Sequence, residues 1–333
     1  MHYIRFIIGV LFFIFLSFLL HIKNIPSEFK IKRTITTSIP AETLYKYIHD
    51  FEQWPEWNPW IQEDPEMKLT FDKTNSELPS YKWYGKEGSG SVKTITTDYP
   101  HQIKQVMLFD GFNPANISWY IKEDSNTLQW TMEGEMDFAM KIFTLMSGSM
   151  DSMIGPYYER GLKNINQILS NKLNEYRFKL IENESLQKQF YLNKTYFSKP
   201  DKIDSIRTAD SKILLEYARE NKLQTDGILF TLTPRLDSIA VTWKLALPIK
   251  EYHKSTNPFI KCRLMRERKS LSGIHYGPKD KIETSWNTLY KKIDEINPKL
   301  QYYQITRYIK DATFDKDPLS WETELILPYK LDF

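Results

Sequence analysis

Asp50-Phe-Glu-Gln-Trp54-Pro55-Glu-Trp57-Asn58-Pro59-Trp60 places Trp54, Trp57 and Trp60, three of the chain's nine tryptophans, at intervals of three residues. That spacing puts the indoles near one face of a short helical segment, where their ordinary role is packing against a sheet. The sheet is legible on both sides. Upstream, Phe29–Thr37 alternates and is rich in Ile and Thr, as a strand is. Ser38-Ile-Pro40-Ala-Glu42 then reads as a helix start, with Ser38 as cap candidate and Pro40 in the first turn. Downstream, strand-like runs cover Lys68–Phe71, Tyr81–Tyr84, Ser89–Thr97, Gln102–Phe109, Asn116–Lys122 and Thr127–Glu135. Turn signals separate them at Gly85–Gly88, Tyr99-Pro100, Asn113-Pro114 and Asp124–Asn126. After Phe138 the pattern becomes helical to about Tyr176, interrupted at Gly155-Pro156. The order predicts an α+β domain, an antiparallel sheet curved around one long helix at its carboxy-terminal end.

Composition sets the outer bounds. With 333 residues, two domains are expected, each large enough to bury a core. Aromatic residues make up 14%, which excludes a disordered chain. One cysteine excludes a disulfide framework and a four-cysteine zinc site. Twelve glycines leave little material for phosphate-cradling loops, and a net charge of +3 does not point to nucleic acid. No DNA-reading helix-turn-helix is apparent, and the basic run Lys261–Lys269 reads as a solvated strand or loop, with contact to anionic headgroups or nucleic acid as the alternative.

Tyr3–Ile22 is an apolar run of twenty residues with Arg5 and His21 near its ends. About 20 helical residues cross a hydrocarbon core of ~30 Å, so residues 1–24 are read as a single transmembrane anchor. A cleaved signal peptide needs a small-x-small site, and the first alanine of the chain is Ala41. The flanks leave orientation open: Arg5 lies on one side, and Lys23, Lys30, Lys32 and Arg33 follow on the other.

Glu175–Lys188 is polar without a long apolar run and is read as the boundary between a domain at 28–176 and another at 188–330. The second domain repeats itself. Thr195-Tyr196 matches His275-Tyr276, and Asp201-Lys-Ile-Asp204 matches Asp280-Lys-Ile-Glu283. Lys222-Leu-Gln224 matches Lys299-Leu-Gln301, and Leu245-Ala-Leu-Pro248 matches Leu325-Ile-Leu-Pro328. The near-constant offset predicts two strand-helix-strand-strand halves that merge their sheets, with a ligand groove at the pseudo-dyad.

The tryptophan segment, with Ser80-Tyr-Lys-Trp83, Gly88-Ser-Gly90-Ser91 and Met150-Asp-Ser-Met153-Ile-Gly155, resembles the polyketide-cyclase/dehydrase branch of the START-like (SRPBCC) superfamily over residues 28–174. The resemblance implies a helix-grip fold enclosing an apolar cavity for lipids or other hydrophobic molecules. The carboxy-terminal half resembles a GyrI-like effector-binding domain through Ile274-His275-Tyr276-Gly277-Pro278, the helix Ile282–Ile293, Tyr308-Ile-Lys-Asp311 and Thr323–Pro328. Where that family usually carries a glutamate two residues before the tyrosine matching Tyr308, this chain has Thr306. The departure puts a cation-binding or hydrolytic role of the groove in doubt.

Candidate ligand-binding residues follow. In the first domain Trp83, Met107, Phe109, Trp119 and Trp130, together with Met132, occupy in-phase strand positions. Such side chains line an adaptable apolar cavity or simply fill a core. Met146, Met150, Met153 and Tyr157 form one helical stripe, with Met150 and Tyr157 as cavity-wall candidates. In the second domain the candidates are His275, Tyr276, Trp286, Thr306 and Tyr308, with Glu322 or Glu324 as a replacement for the missing acid. A lone histidine such as His275 is more often structural than functional. The six histidines show no metal spacing, Gly88–Ser91 is no nucleophile elbow because no helix follows, and Cys262 reads as a structural thiol. No catalytic residue, metal or cofactor is assigned. The expected function is a membrane-anchored protein that binds a hydrophobic or amphipathic small molecule, with no nucleic-acid partner; the alternative is a cyclase or hydrolase using one of the pockets.

Overall fold

The computed structural model describes residues 2–72, 74–235, 239–296 and 303–329. The chain divides into two compact units, residues 1–171 and 172–333.

The first unit opens with helix α1 (His2–Asn24), exposed along most of its length. Strand β1 (Glu28–Thr36) follows, then α2 (Ala41–His49) and the short helices α3 (Trp54–Trp57) and α4 (Pro59–Glu63). Six strands come next: β2 (Lys68–Asp72), β3 (Ser80–Gly85), β4 (Gly88–Asp98), β5 (Gln102–Phe109), β6 (Ala115–Lys122) and β7 (Thr127–Glu135). Helices α5 (Phe138–Ser147) and α6 (Met150–Asn174) complete it. The sheet is antiparallel in the order β1-β7-β6-β5-β4-β3-β2, so β1 closes onto the last strand rather than its neighbour in sequence. Register fixes the inner face, since directly paired residues share a side. Arg33, Trp130, Trp119 and Ile103 form one inward row; Ile31, Met132, Ile117, Gln105 and Thr94 form the next.

Helix α6 lies against that inner face. Arg33 holds it there, pairing with Asp151 at 2.8 Å and Glu159 at 2.7 Å. The Tyr158 ring stacks on Trp130 at 3.6 Å. Gly161 admits that approach, because a Cβ there would stand 2.9 Å from the Trp130 ring.

Two local expectations are corrected. Pro40, not Ser38, occupies the N-cap of α2, and no side chain caps that helix end. The helical run breaks at Gly148, whose φ of +102° a residue with Cβ rarely adopts, while Pro156 sits inside α6. Ser149 then accepts from the Ser152 amide and starts α6.

The second unit holds β8 (Arg177–Leu186), β9 (Gln189–Ser198), α7 (Ile203–Glu220), β10 (Phe230–Thr233), β11 (Val241–Ile249) and β12 (Ile260–Met265). It continues through β13 (Arg268–Tyr276), α8 (Ile282–Ile296), β14 (Gln304–Lys310) and β15 (Glu322–Tyr329). Its eight strands run β12-β9-β11-β10-β14-β15-β13-β8. The duplication is written in that order: β9-β11-β10 mirrors β13-β15-β14, and the halves join where β10 pairs antiparallel with β14. The matching tetrapeptides at Asp201 and Asp280 both form a single-turn helix leading into α7 or α8. The landmark Lys299-Leu-Gln301 lies outside the described residues. Residues 177–186, read from sequence as boundary, form the strand β8 paired with β13.

Candidate functional site

The interior of the first unit is built from indoles. Trp54, Trp57, Trp119 and Trp130 are each no more than 2% exposed. Trp119 stacks on Trp130 at 4.3 Å, and Trp57 meets both edge-on at 5.8 and 5.6 Å. Register makes Trp119 and Trp130 cross-strand partners, and the Trp54–Trp57 spacing delivers the other two from the helical side. Burial pushes the Tyr81 and Tyr158 phenols up, so both remain neutral donors.

Polar groups interrupt this apolar interior. Thr94 and Gln105 are paired across β4 and β5, and each is no more than 1% exposed. Gln105 Oε1 accepts from Trp119 Nε1 at 3.1 Å. Gln105 Nε2, Thr94 Oγ1, Trp57 Nε1 and Trp130 Nε1 are buried without a hydrogen-bond partner among the described residues. Unpaired buried donors are costly, and native folds keep few of them. Two of these groups belong to the indoles of the ladder, and a third to the glutamine that Trp119 donates to.

Towards the other end of the sheet, Trp83 lies 6.0 Å from Phe109 and 5.8 Å from Tyr81. Its ring covers Gly90, where a Cβ would come within 2.4 Å. Met107 shares the inward phase, facing Val92 and Ala115. The sequence candidates therefore form two groups, Trp119–Trp130 in the packed ladder and Trp83–Met107–Phe109 at the partly open end. Met150 is buried at the start of α6, and Tyr157 stacks on Trp60 at 4.7 Å while donating to Glu63 at 3.0 Å. The expected methionine stripe is split, since Met146 belongs to α5 and is 84% exposed.

In the second unit the floor between α7 and α8 is the β10–β14 junction. Thr306 faces Leu325, which packs under α8, so Thr306 and Tyr308 lie on the helix side. His275 and Trp286 share that side: His275 contacts Ser285 at 2.8 Å and the Pro278 carbonyl at 3.0 Å, and Trp286 stacks on Tyr290. Tyr276 and Glu324 lie on the opposite face, in register with Glu322 and Arg307. Glu324 pairs with Arg307 at 3.2 Å and Glu322 with Lys310 at 2.7 Å, so both carboxylates are held by cations on the face away from Thr306.

An acid and its partner are nevertheless present. The Arg207 guanidinium pairs with Asp311 at 2.6 Å and Asp204 at 2.7 Å and lies 3.8 Å from the Tyr308 ring centre. Lys279 reaches Asp204 at 3.0 Å. Burial pushes the Asp311 carboxyl up, but the Thr313 hydrogen bond and Arg207 outweigh it and the net shift is downward. Burial, reinforced by Arg207, pulls the Lys279 ammonium down despite Asp204. Sequence reading misses Thr94, Gln105 and Arg207, and names Asp311 only as part of a motif, without a role. The available signals were polar residues in the inward phase of β4 and β5 and a charge on the apolar stripe of α7. Among the described residues no group of three or more His, Cys, Asp or Glu is placed to hold a metal.

A sheet gripping a long helix over an aromatic interior defines the first unit, and a duplicated sheet with two helices the second. Residues 37–154 match the family described as polyketide cyclase / dehydrase and lipid transport, which agrees with the first resemblance. No curated protein matches the chain. The carboxy-terminal region is similar to the EcmrR C-terminal domain, at 16% identity and a TM-score of 0.40 over 47% of this chain and 99% of that one. A hydrolase from Listeria innocua is similar at 13% identity and TM-score 0.34, covering 45% of this chain and 92% of its own. A putative transcription regulation protein from Staphylococcus aureus is similar at 12% identity and TM-score 0.30, covering 47% and 99%.

Proposed function

We propose that the protein is a membrane-anchored small-molecule binder whose first domain takes an amphipathic molecule carrying an acceptor oxygen. The observation that carries this reading is the set of buried donors at Thr94, Gln105, Trp57 and Trp130 that lack a partner among the described residues. An apolar body satisfies the indoles, and an oxygen set among the donors removes their desolvation cost. The match to a family that includes lipid transport supports the same class of ligand. The anchor is α1, whose segment Phe6–Asn24 has a mean hydropathy of 2.4 and is almost wholly exposed. The second domain serves as an effector module that favours neutral molecules, because its buried acid already holds Arg207.

Native mass spectrometry on the full chain, extracted with mild detergent from its own cells, tests the reading. A co-purifying lipid or metabolite that is lost in Thr94→Val and Gln105→Leu is the expected result. Bare protein from several extractions, or a ligand indifferent to both changes, would refute it.

A further inference from the structure

Helix α5 wears its polarity inside out. Its single charged residue, Lys141, is 8% exposed, while Phe138 and Phe143 are 53%, Leu145 42% and Met146 84% exposed. Residues 138, 142 and 145 form one row on the helix and 139, 143 and 146 the adjacent row, so the outward face is a continuous apolar band. On the β5–β6 hairpin, Leu108 and Phe112 are also 47% and 38% exposed. Asn113 of that hairpin donates to the Glu135 carbonyl at 3.2 Å, at the strand end that leads into α5. An apolar surface of this kind marks a contact site rather than ordinary surface scatter.

What covers the band follows from the chain around it. Helix α1 packs against α5, and Ile22 near its end is fully buried. Only Ile25, Pro26 and Ser27 separate α1 from β1, a reach of roughly 10 Å. The Ser27 carbonyl accepts from the Met136 amide at 2.7 Å, so the end of the tether is bonded to the strand just before α5. A bilayer crossed by α1 therefore has its boundary beside α5.

We infer that α5 docks on the lipid bilayer, with Phe138, Phe143, Leu145 and Met146 seated at the boundary between headgroups and acyl chains; the inference rests on reading α1 as the anchor. The helix lies in the interface plane with its lysine turned toward protein. The first domain is thereby held at the membrane by two contacts, the span and the flat helix.

The test uses the full chain carrying Cys262→Ser, reconstituted in vesicles of phosphatidylcholine and phosphatidylglycerol. Nitroxide labels are placed singly at Met146→Cys, at Phe143→Cys on the same band, and at Glu123→Cys on the exposed β6–β7 turn at the opposite end of the sheet. Labels at 143 and 146 should be relaxed several-fold more by oxygen than by a water-soluble nickel chelate, and the label at 123 the reverse. Alkaline carbonate extraction of the same vesicles reports on α1 separately. A chain that resists carbonate but shows 143 and 146 open to nickel keeps its anchor and overturns the docking of α5. Release by carbonate, with both labels still in lipid, removes the anchor and leaves the docking standing. Shielding from both relaxants together with spin–spin broadening between copies would show that a second chain covers the band, and would also overturn the inference.

Discussion

The Arg207 guanidinium lies 3.8 Å from the centre of the Tyr308 ring, with the Asp311 carboxylate 2.6 Å away. An aromatic face and a buried acid make a receptor for a cation, and here the chain supplies the cation itself. The Arg207 and Asp311 side chains are 4% and 1% exposed, so water screens the pair little. Asp311 lies just beyond β14 and is thus already neutralised by a cation from the chain itself.

Arg207→Ala should therefore destabilise the protein by about 3–5 kcal/mol, because it leaves the Asp311 charge buried. Lys279, 3.8 Å from Asp311, keeps the loss toward the lower figure. The double variant Arg207→Met/Asp311→Asn should recover much of the loss. Urea unfolding of the full chain measures both; a double variant no more stable than Arg207→Ala would contradict the pairing argument.

His275 is fully buried, and the Pro278 carbonyl can only accept, so Nε2 carries the proton and Nδ1 receives the Ser285 hydroxyl. Burial holds the imidazole below its ordinary value of 6.5. The unfolded chain takes up a proton near pH 6.5 and the folded one does not, so stability present above that pH declines as the pH falls. The slope approaches ~1.4 kcal/mol per pH unit for one proton. Stability measured between pH 7.5 and 5 should show this decline in the parent and a flatter profile in His275→Gln.

Thr94→Val replaces a buried hydroxyl, without a partner among the described residues, by a methyl of the same shape. The ligand-free protein should gain about 1 kcal/mol, since an unmet hydrogen bond costs that much or more. Binding of a ligand whose oxygen meets Thr94 should weaken in the same variant. Opposite signs for stability and affinity are the signature to look for, in denaturation and in titration calorimetry.

Alanine at an interior helical glycine ordinarily stabilises by up to about 1 kcal/mol. At Gly161 the sign should reverse, because the new Cβ would press on Trp130 at 2.9 Å and meet Trp57 at 3.6 Å. A lower melting temperature and altered indole fluorescence in Gly161→Ala are expected. A more stable variant with unchanged fluorescence would mean the ladder gives way easily.

Much of this architecture is legible in the sequence alone. Alternation marks the first strand, and strand-like runs set apart by turn signals mark the other six of the first sheet. The offset between the Asp201 and Asp280 tetrapeptides revealed the two halves of the second domain, since both segments solve the same problem of turning a strand into a helix. Less legible was whatever depends on register. Thr94 and Gln105 sit eleven residues apart, and only the β4–β5 pairing makes them neighbours. Strand β8 was hidden because Glu175–Lys188 is polar and an edge strand needs only one apolar face. The face that Glu324 takes depends likewise on register, which sets it across from Arg307. Arg207 is not legible in the sequence because charge on a helix usually faces solvent, whereas packing turns this side chain inward, where it is 4% exposed.

The antiparallel seam between β10 and β14 has a consequence for what the two halves are free to become. Two identical subunits meeting along such a seam must present the same residue from both sides. Once the halves share one chain, that constraint is lifted. Arg207 is the fifth residue of α7 and Trp286 the fifth of α8, so matched positions carry a cation in one half and an indole in the other. The matched position therefore serves two ends: in one half it carries the charge that meets Asp311, and in the other an indole that closes the core beneath α8.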